Sequence, residues 1–166
     1  MRQRRITTVG LMLALALGSM GFQCGGGSGP SGQPEPLRNA ARAADAIAGS
    51  IKEMTRVKRD LAKQGRLTSA EELRLTQMLL RLNTADKALV TRLKSLNSVP
   101  DATGQTELLA MFKEVTAALD DLNANGVLGV SNEEARSRLG VIINTLRGSV
   151  QIIQTFIDSH NANANR

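Results

Sequence analysis

The stretch "TSAEELRLTQMLLRLNTADKALVTRLKSL", Thr68–Leu96, decides the fold class. Leu75, Leu79, Leu82, Ala85, Leu89, Leu93 and Leu96 recur every three or four positions. That is the period of an α-helix with one buried face. The first four residues form a capping box, in which the Thr68 hydroxyl and the Glu71 carboxylate each satisfy a backbone amide left free at a helix start. The apolar–polar alternation of a strand does not occur here, nor elsewhere beyond Pro36.

The same period continues on both sides. Toward the N-terminus, Leu37, Ala41, Ala44, Ile47, Ile51, Met54, Val57 and Leu61 predict a helix over 36–63 that stops at Gly65. Toward the C-terminus, Leu108, Met111, Phe112, Val115, Leu119 and Leu122 predict a shorter helix over 104–123, halted by "NANG" (Asn123–Gly126). A fourth helix is expected to open at a second capping box, "SNEE" (Ser131–Glu134), and to run to Ser159 with Leu139, Ile142, Leu146, Val150, Ile153 and Ile157 inward. A lone amphipathic helix is marginal in water. Four of them on short connections therefore predict an all-α protein, an antiparallel up-down four-helix bundle over 36–160 with coiled-coil-like packing. The polar tail 161–166 is expected to be disordered.

Composition agrees with that architecture. Aromatic residues make up 2% of the 166, namely Phe22, Phe112 and Phe156, so the core must be built from Leu, Ile, Val, Ala and Met. The formal charge of +6 includes Arg2, Arg4 and Arg5 near the start of the chain. Beyond them the halves differ in sign: 38–94 holds thirteen basic and six acidic residues, 101–166 five and eight. The halves should attract each other. Such a weak excess is no nucleic-acid footprint, and no nucleic-acid partner is expected.

Residues 1–23 read as an export signal. Arg2, Arg4 and Arg5 supply a positive start, "ITTVGLMLALAL" (Ile6–Leu17) an apolar run, and Gly18, Ser19 and Gly21 small residues near a cleavage point. "GGGSGPSGQPEP" (Gly25–Pro36) lacks apolar side chains and reads as a flexible tether over 24–35, spanning roughly 20 Å as a random coil. An apolar signal ending at the chain's single cysteine, Cys24, and followed by such a tether resembles a bacterial lipoprotein precursor. The resemblance covers 1–35 and implies cleavage before Cys24 and attachment of diacylglycerol to its thiol. Gly21, Phe22 and Gln23 stand where that family favours Leu, a small residue, and Gly or Ala. Ordinary cleavage after Gly21 and an uncleaved anchor are the rival readings, giving a soluble secreted form or a membrane-held one.

Catalytic chemistry finds little support. His160 is the single histidine, and Asp158, two residues away on a helix end, would point elsewhere. Neither a metal site nor a cofactor is expected. Periplasmic four-helix cytochromes hold haem between a Met early in helix one and a His late in helix four. His160 fits that placement, but Met54 lies 17 residues beyond Leu37, about 25 Å along the helix, and there is no C-x-x-C-H. Gly25–Gly27 follows no strand and is no phosphate loop. The basic run Arg56, Lys58, Arg59, Lys63 and Arg66, with Arg136 and Arg138, should meet Asp60, Glu71, Glu72, Asp120, Asp121, Glu133 and Glu134 at the end of the bundle far from the tether, forming a neutralised polar cap of seven basic and seven acidic residues. In "GVLGV" (Gly126–Val130), Val130 reads as a hydrophobic staple against Ala135. Val127 and Leu128 either cap the bundle or contact a partner. The expectation is an exported, non-enzymatic bundle, lipid-anchored through Cys24 and acting by contact with another envelope protein. The alternative is a bundle that binds a small apolar ligand between its helices.

Overall fold

The computed structural model describes residues 35–96 and 101–164, with the side chains of 102 and 160–164 left out. The expected export signal and tether, Cys24 and the His160 side chain therefore lie outside the described residues. The fold is all-α: α1 (Glu35–Lys63), α2 (Ser69–Ser95), α3 (Ala102–Asp121) and α4 (Glu133–Ala164), with a π-helical turn, Leu122–Val127, extending α3.

Each boundary has a local cause. Pro36 sits in the first turn of α1, where its missing N–H is not needed. At the other end Gly65 adopts φ 69°, its N–H donates to the Ala62 carbonyl at 3.0 Å, and the Arg66 N–H donates to the Leu61 carbonyl at 2.9 Å. This pair of bonds is a Schellman stop, which needs a left-handed residue and favours glycine. Thr68 caps α2 with the full capping box. Asp101 caps α3 through Gly104 N–H at 2.9 Å. At α4 the cap shifts by one and the capping box expected at Ser131 does not form: Asn132 Oδ1 accepts from Ala135 N–H at 2.9 Å, and Ser131 is engaged elsewhere. Val130 and Ala135 are both buried, but the shift takes them out of the staple positions.

Cross-helix ion pairs fit an up-down order. Lys58 late in α1 meets Glu72 early in α2 at 3.6 Å, and Asp45 meets Lys94 late in α2 at 2.8 Å. Arg81 and Arg92 reach Asp121 and Glu107 of α3 in the same reversed sense, at 3.4 and 2.8 Å. Arg66, just past α1, pairs with Glu134 at the start of α4.

One core cluster joins all four helices. The whole expected stripe of α1 is buried, widened by Ala40 and Ala43. Three stripes differ from expectation, α3 in Met111, which is half-buried. On α2 Ala85 is half-buried and Asp86 takes the inward place. On α4 Ile143 and Ser149 are buried, while Ile142 and Val150 are half-buried. Between Leu139 and Ile157 Arg147 is the single charged residue, so polarity does little to fix which face turns inward. α4 also runs through Ala164, past the expected boundary at 160; after Gly148 no Gly or Pro interrupts it. Helix three does not stop at Asn123 either. Its ladder widens to i→i+5, with Leu128 N–H donating to the Asn123 carbonyl at 2.9 Å. Gly126 is buried in this turn, where an added Cβ would lie 3.0 Å from Met78 Sδ and 3.2 Å from Leu75 and Leu122 carbons.

Gly65→Ala is predicted to lower stability by about 1 kcal/mol in urea unfolding, because alanine pays the left-handed strain that glycine avoids. An unchanged midpoint would show that this stop is not held in the folded chain.

Candidate functional site

Four polar side chains are buried among the described residues: Lys58, Glu71, Asp86 and Ser149. Three are satisfied. Lys58 Nζ donates to Thr76 Oγ1 at 2.5 Å beside Glu72, and the Ser149 hydroxyl donates back to the Thr145 carbonyl at 3.4 Å.

Glu71 is the most heavily bonded carboxylate. Its Oε2 accepts from the Thr68 N–H and hydroxyl at 2.7 and 2.9 Å. Its Oε1 accepts from the Ser131 N–H and hydroxyl at 2.7 and 2.8 Å. One side chain thus caps α2 and ties it to the segment leading into α4, sixty residues away. The Ser131 and Thr68 N–H groups, aided by the two hydroxyls, outweigh burial and lower its pKa to about 2. The capping half was legible in the spacing; nothing in the sequence marks the reach to Ser131.

Asp86 is the opposite case. It is 0% exposed, and neither carboxyl oxygen has a hydrogen-bond partner. It lies between Leu82 and Leu89 in the buried stripe of α2. Burial pushes its pKa up to about 7, and the negative charge of Asp45 adds to the rise. An isolated carboxylate in an apolar interior is costly, so the group is driven toward its neutral form. The sequence did carry the signal, since the three-four count 79, 82, 86, 89, 93 passes through the aspartate. Reading Ala85 as inward avoided placing an acid in the core.

An acid poised near neutrality suits proton transfer. Asp86 is enclosed, however, so the arrangement offers uptake and release of a proton rather than attack on a substrate. Among the described residues no group of three His, Cys, Asp or Glu side chains could hold a metal ion. No described helix is long and apolar enough to cross a membrane.

The polar end expected near the 63–68 turn is paired in part, through Arg56, Lys58 and Arg66 of the basic run. Besides Arg66–Glu134 and Lys58–Glu72, Arg56 bonds Glu53 and lies 3.5 Å from Asp60. Arg136 reaches the Val130 carbonyl at 3.4 Å and Arg74 the Asn125 carbonyl at 3.5 Å. The two candidate contact residues separate. Val127 is 1% exposed and belongs to the core, because the π turn directs it inward; it has no surface to offer a partner. Leu128 is 59% exposed. Further apolar surface lies on α2, where Leu73 and Leu80 are 60% and 61% exposed. Seven residues apart, they share one face of the helix. Leu80 lines two grooves, one of about 300 Å³ against α1 with Ile51, Lys52 and Leu79, the other of about 420 Å³ against α3 with Ala85, Ala88 and Met111.

No protein-family model, curated protein or solved structure matches this chain.

Glu71→Gln is predicted to cost about 2–3 kcal/mol, since an amide cannot accept at both of its ends. Because ionised Glu71 is favoured only in the folded chain, wild-type stability should also fall as pH drops from about 4.5 toward 2. Urea midpoints across that range, with the drop toward low pH in wild type reduced in the variant by the Glu71 contribution, check both statements.

Proposed function

We propose that this chain is an exported, lipid-anchored, non-enzymatic helical-bundle protein of the bacterial cell envelope that works by contact with another protein. The observation that carries the contact reading is the solvent-facing apolar ridge of Leu73 and Leu80 on α2, with Leu128 exposed at the end of the π turn. Exposed leucines at helical spacing, rimmed by Arg74, Arg81 and Lys87, suit the groove of a partner helix. The anchor rests on the resemblance of 1–35 to lipoprotein precursors, with Cys24 as the modified residue. A tether of that length holds the bundle close to a bilayer without fixing its orientation.

A second reading draws on the groove between α1 and α2. Its floor is Ile51, Leu79 and Leu80, and Lys52 and Lys58 stand at its side. That lining suits a small apolar ligand with an acidic end. Lys58 is already bonded to Thr76 and Glu72, which weighs toward protein contact.

Metabolic labelling with an alkyne fatty acid should tag the wild-type protein and not Cys24→Ser. Equal labelling of both would overturn the anchor.

A further inference from the structure

We propose that Asp86 makes α2 a proton-operated latch: with the acid neutral the middle of α2 stays packed in the bundle, and with the acid ionised that segment loosens and admits water. The geometry carries this. Asp86 occupies a stripe position otherwise filled by Leu75, Leu79, Leu82, Leu89 and Leu93, has no exposed surface, and receives no hydrogen bond at either oxygen. A neutral acid there leaves polar atoms unsatisfied at moderate cost; a carboxylate there costs far more and is relieved by hydration.

The surrounding groups do nothing to offset the charge. From α1 the group acting on it is Asp45, whose negative charge opposes ionisation and which pairs with Lys94 at 2.8 Å. α3 and α4 bury no charged side chain among the described residues, and Ser149 on α4 turns its hydroxyl to its own helix. Along α2, one turn to either side, stand Leu82, Asn83, Leu89 and Val90, and the adjacent Lys87 is exposed. Among the described residues no cation pairs with the carboxylate.

The place of the loosening follows from what holds α2. Its start is tied by Glu71 to Thr68 and Ser131 and by Glu72 to Lys58, and its end by Lys94 to Asp45. The middle has fewer ties across to its neighbours, and two grooves flank it. Asn83, one turn from Asp86, lines the groove against α1. Ala85 and Ala88, on either side of Asp86, line the groove against α3. Water therefore has a short way in from both faces. Local opening of this kind needs less free energy than global unfolding and reads out as amide exchange.

The test is hydrogen–deuterium exchange on the full chain between pH 5 and pH 8, corrected for intrinsic amide rates. Folded Asp86 holds its proton to higher pH than an open, hydrated Asp86, so the closed state is favoured at low pH and loses that advantage as pH rises to about 7. Protection of residues 82–90 should fall on the order of a hundredfold over this range in wild type. Asp86→Asn should be flat within a few-fold. Asp45→Asn removes the opposing charge together with the Lys94 tie, and should move the wild-type transition to lower pH while lowering protection at every pH. Wild-type protection that does not change with pH, an Asp86→Asn variant that keeps the full slope, or a transition unmoved in Asp45→Asn would each overturn the latch.

Discussion

Asp86 sets two carboxyl oxygens, bonded to nothing, into the leucine stripe of α2, and the bundle has few means of satisfying them. The chain contains no Tyr and no Trp, so the usual buried donors of an aromatic core are missing. What remains is aliphatic packing, in which a neutral acid costs moderately and a charged one far more. The stability of an otherwise ordinary helical bundle thus comes to depend on one proton. Leu, Ile, Ala and Met supply the burial that holds four helices together, and Asp86 sets a pH condition on it.

Two acids on one helix show how far environment outweighs residue type. Glu71 receives four hydrogen bonds, two of them from backbone N–H groups at a helix start and at the approach to α4, and keeps its charge in strong acid. Asp86, about four turns along, receives none and holds its proton toward neutrality. Ionisation of the first favours the folded chain and ionisation of the second opposes it, so the two pull stability in opposite directions across the acid range. Glu71 binds α2 to the segment before α4 whether or not the middle of the helix is closed. The latch therefore has a fixed end to swing from.

Most of the architecture was legible in the residues. Gly65, Thr68 and Glu71 announced the α1–α2 turn because caps and stops have specific local chemistry. The α1 stripe was clear because its outer face carries charges at regular spacing. The errors have physical reasons. On α4 both candidate faces are uncharged, so the three-four count alone chose Ile142 and Val150 where the fold buries Ile143 and Ser149. Asn132 displaced Ser131 as the cap because Ser131 is drawn away by Glu71, a tertiary bond without a local signature. The π turn that buries Val127 is fixed by close packing of Gly126 on Leu75 and Met78, which spacing within the segment cannot reveal. Asp86 was visible as a break in a leucine count, and its meaning emerged once both of its oxygens proved to be enclosed and unbonded.

The bundle carries an apolar ridge outside and a proton-sensitive acid inside on the same helix. Leu73 and Leu80 face out from α2 just ahead of the segment whose packing Asp86 governs on the inner side. The claim beneath this is that the Asp86 carboxyl keeps its proton near neutrality in the folded chain. Carbon-13 NMR titration of the side-chain carboxyl resonances measures that directly. The account predicts one aspartate titrating near pH 7, assigned to residue 86 by its loss in Asp86→Asn. An Asp86 resonance that titrates near pH 4, as a hydrated carboxylate does, would contradict it.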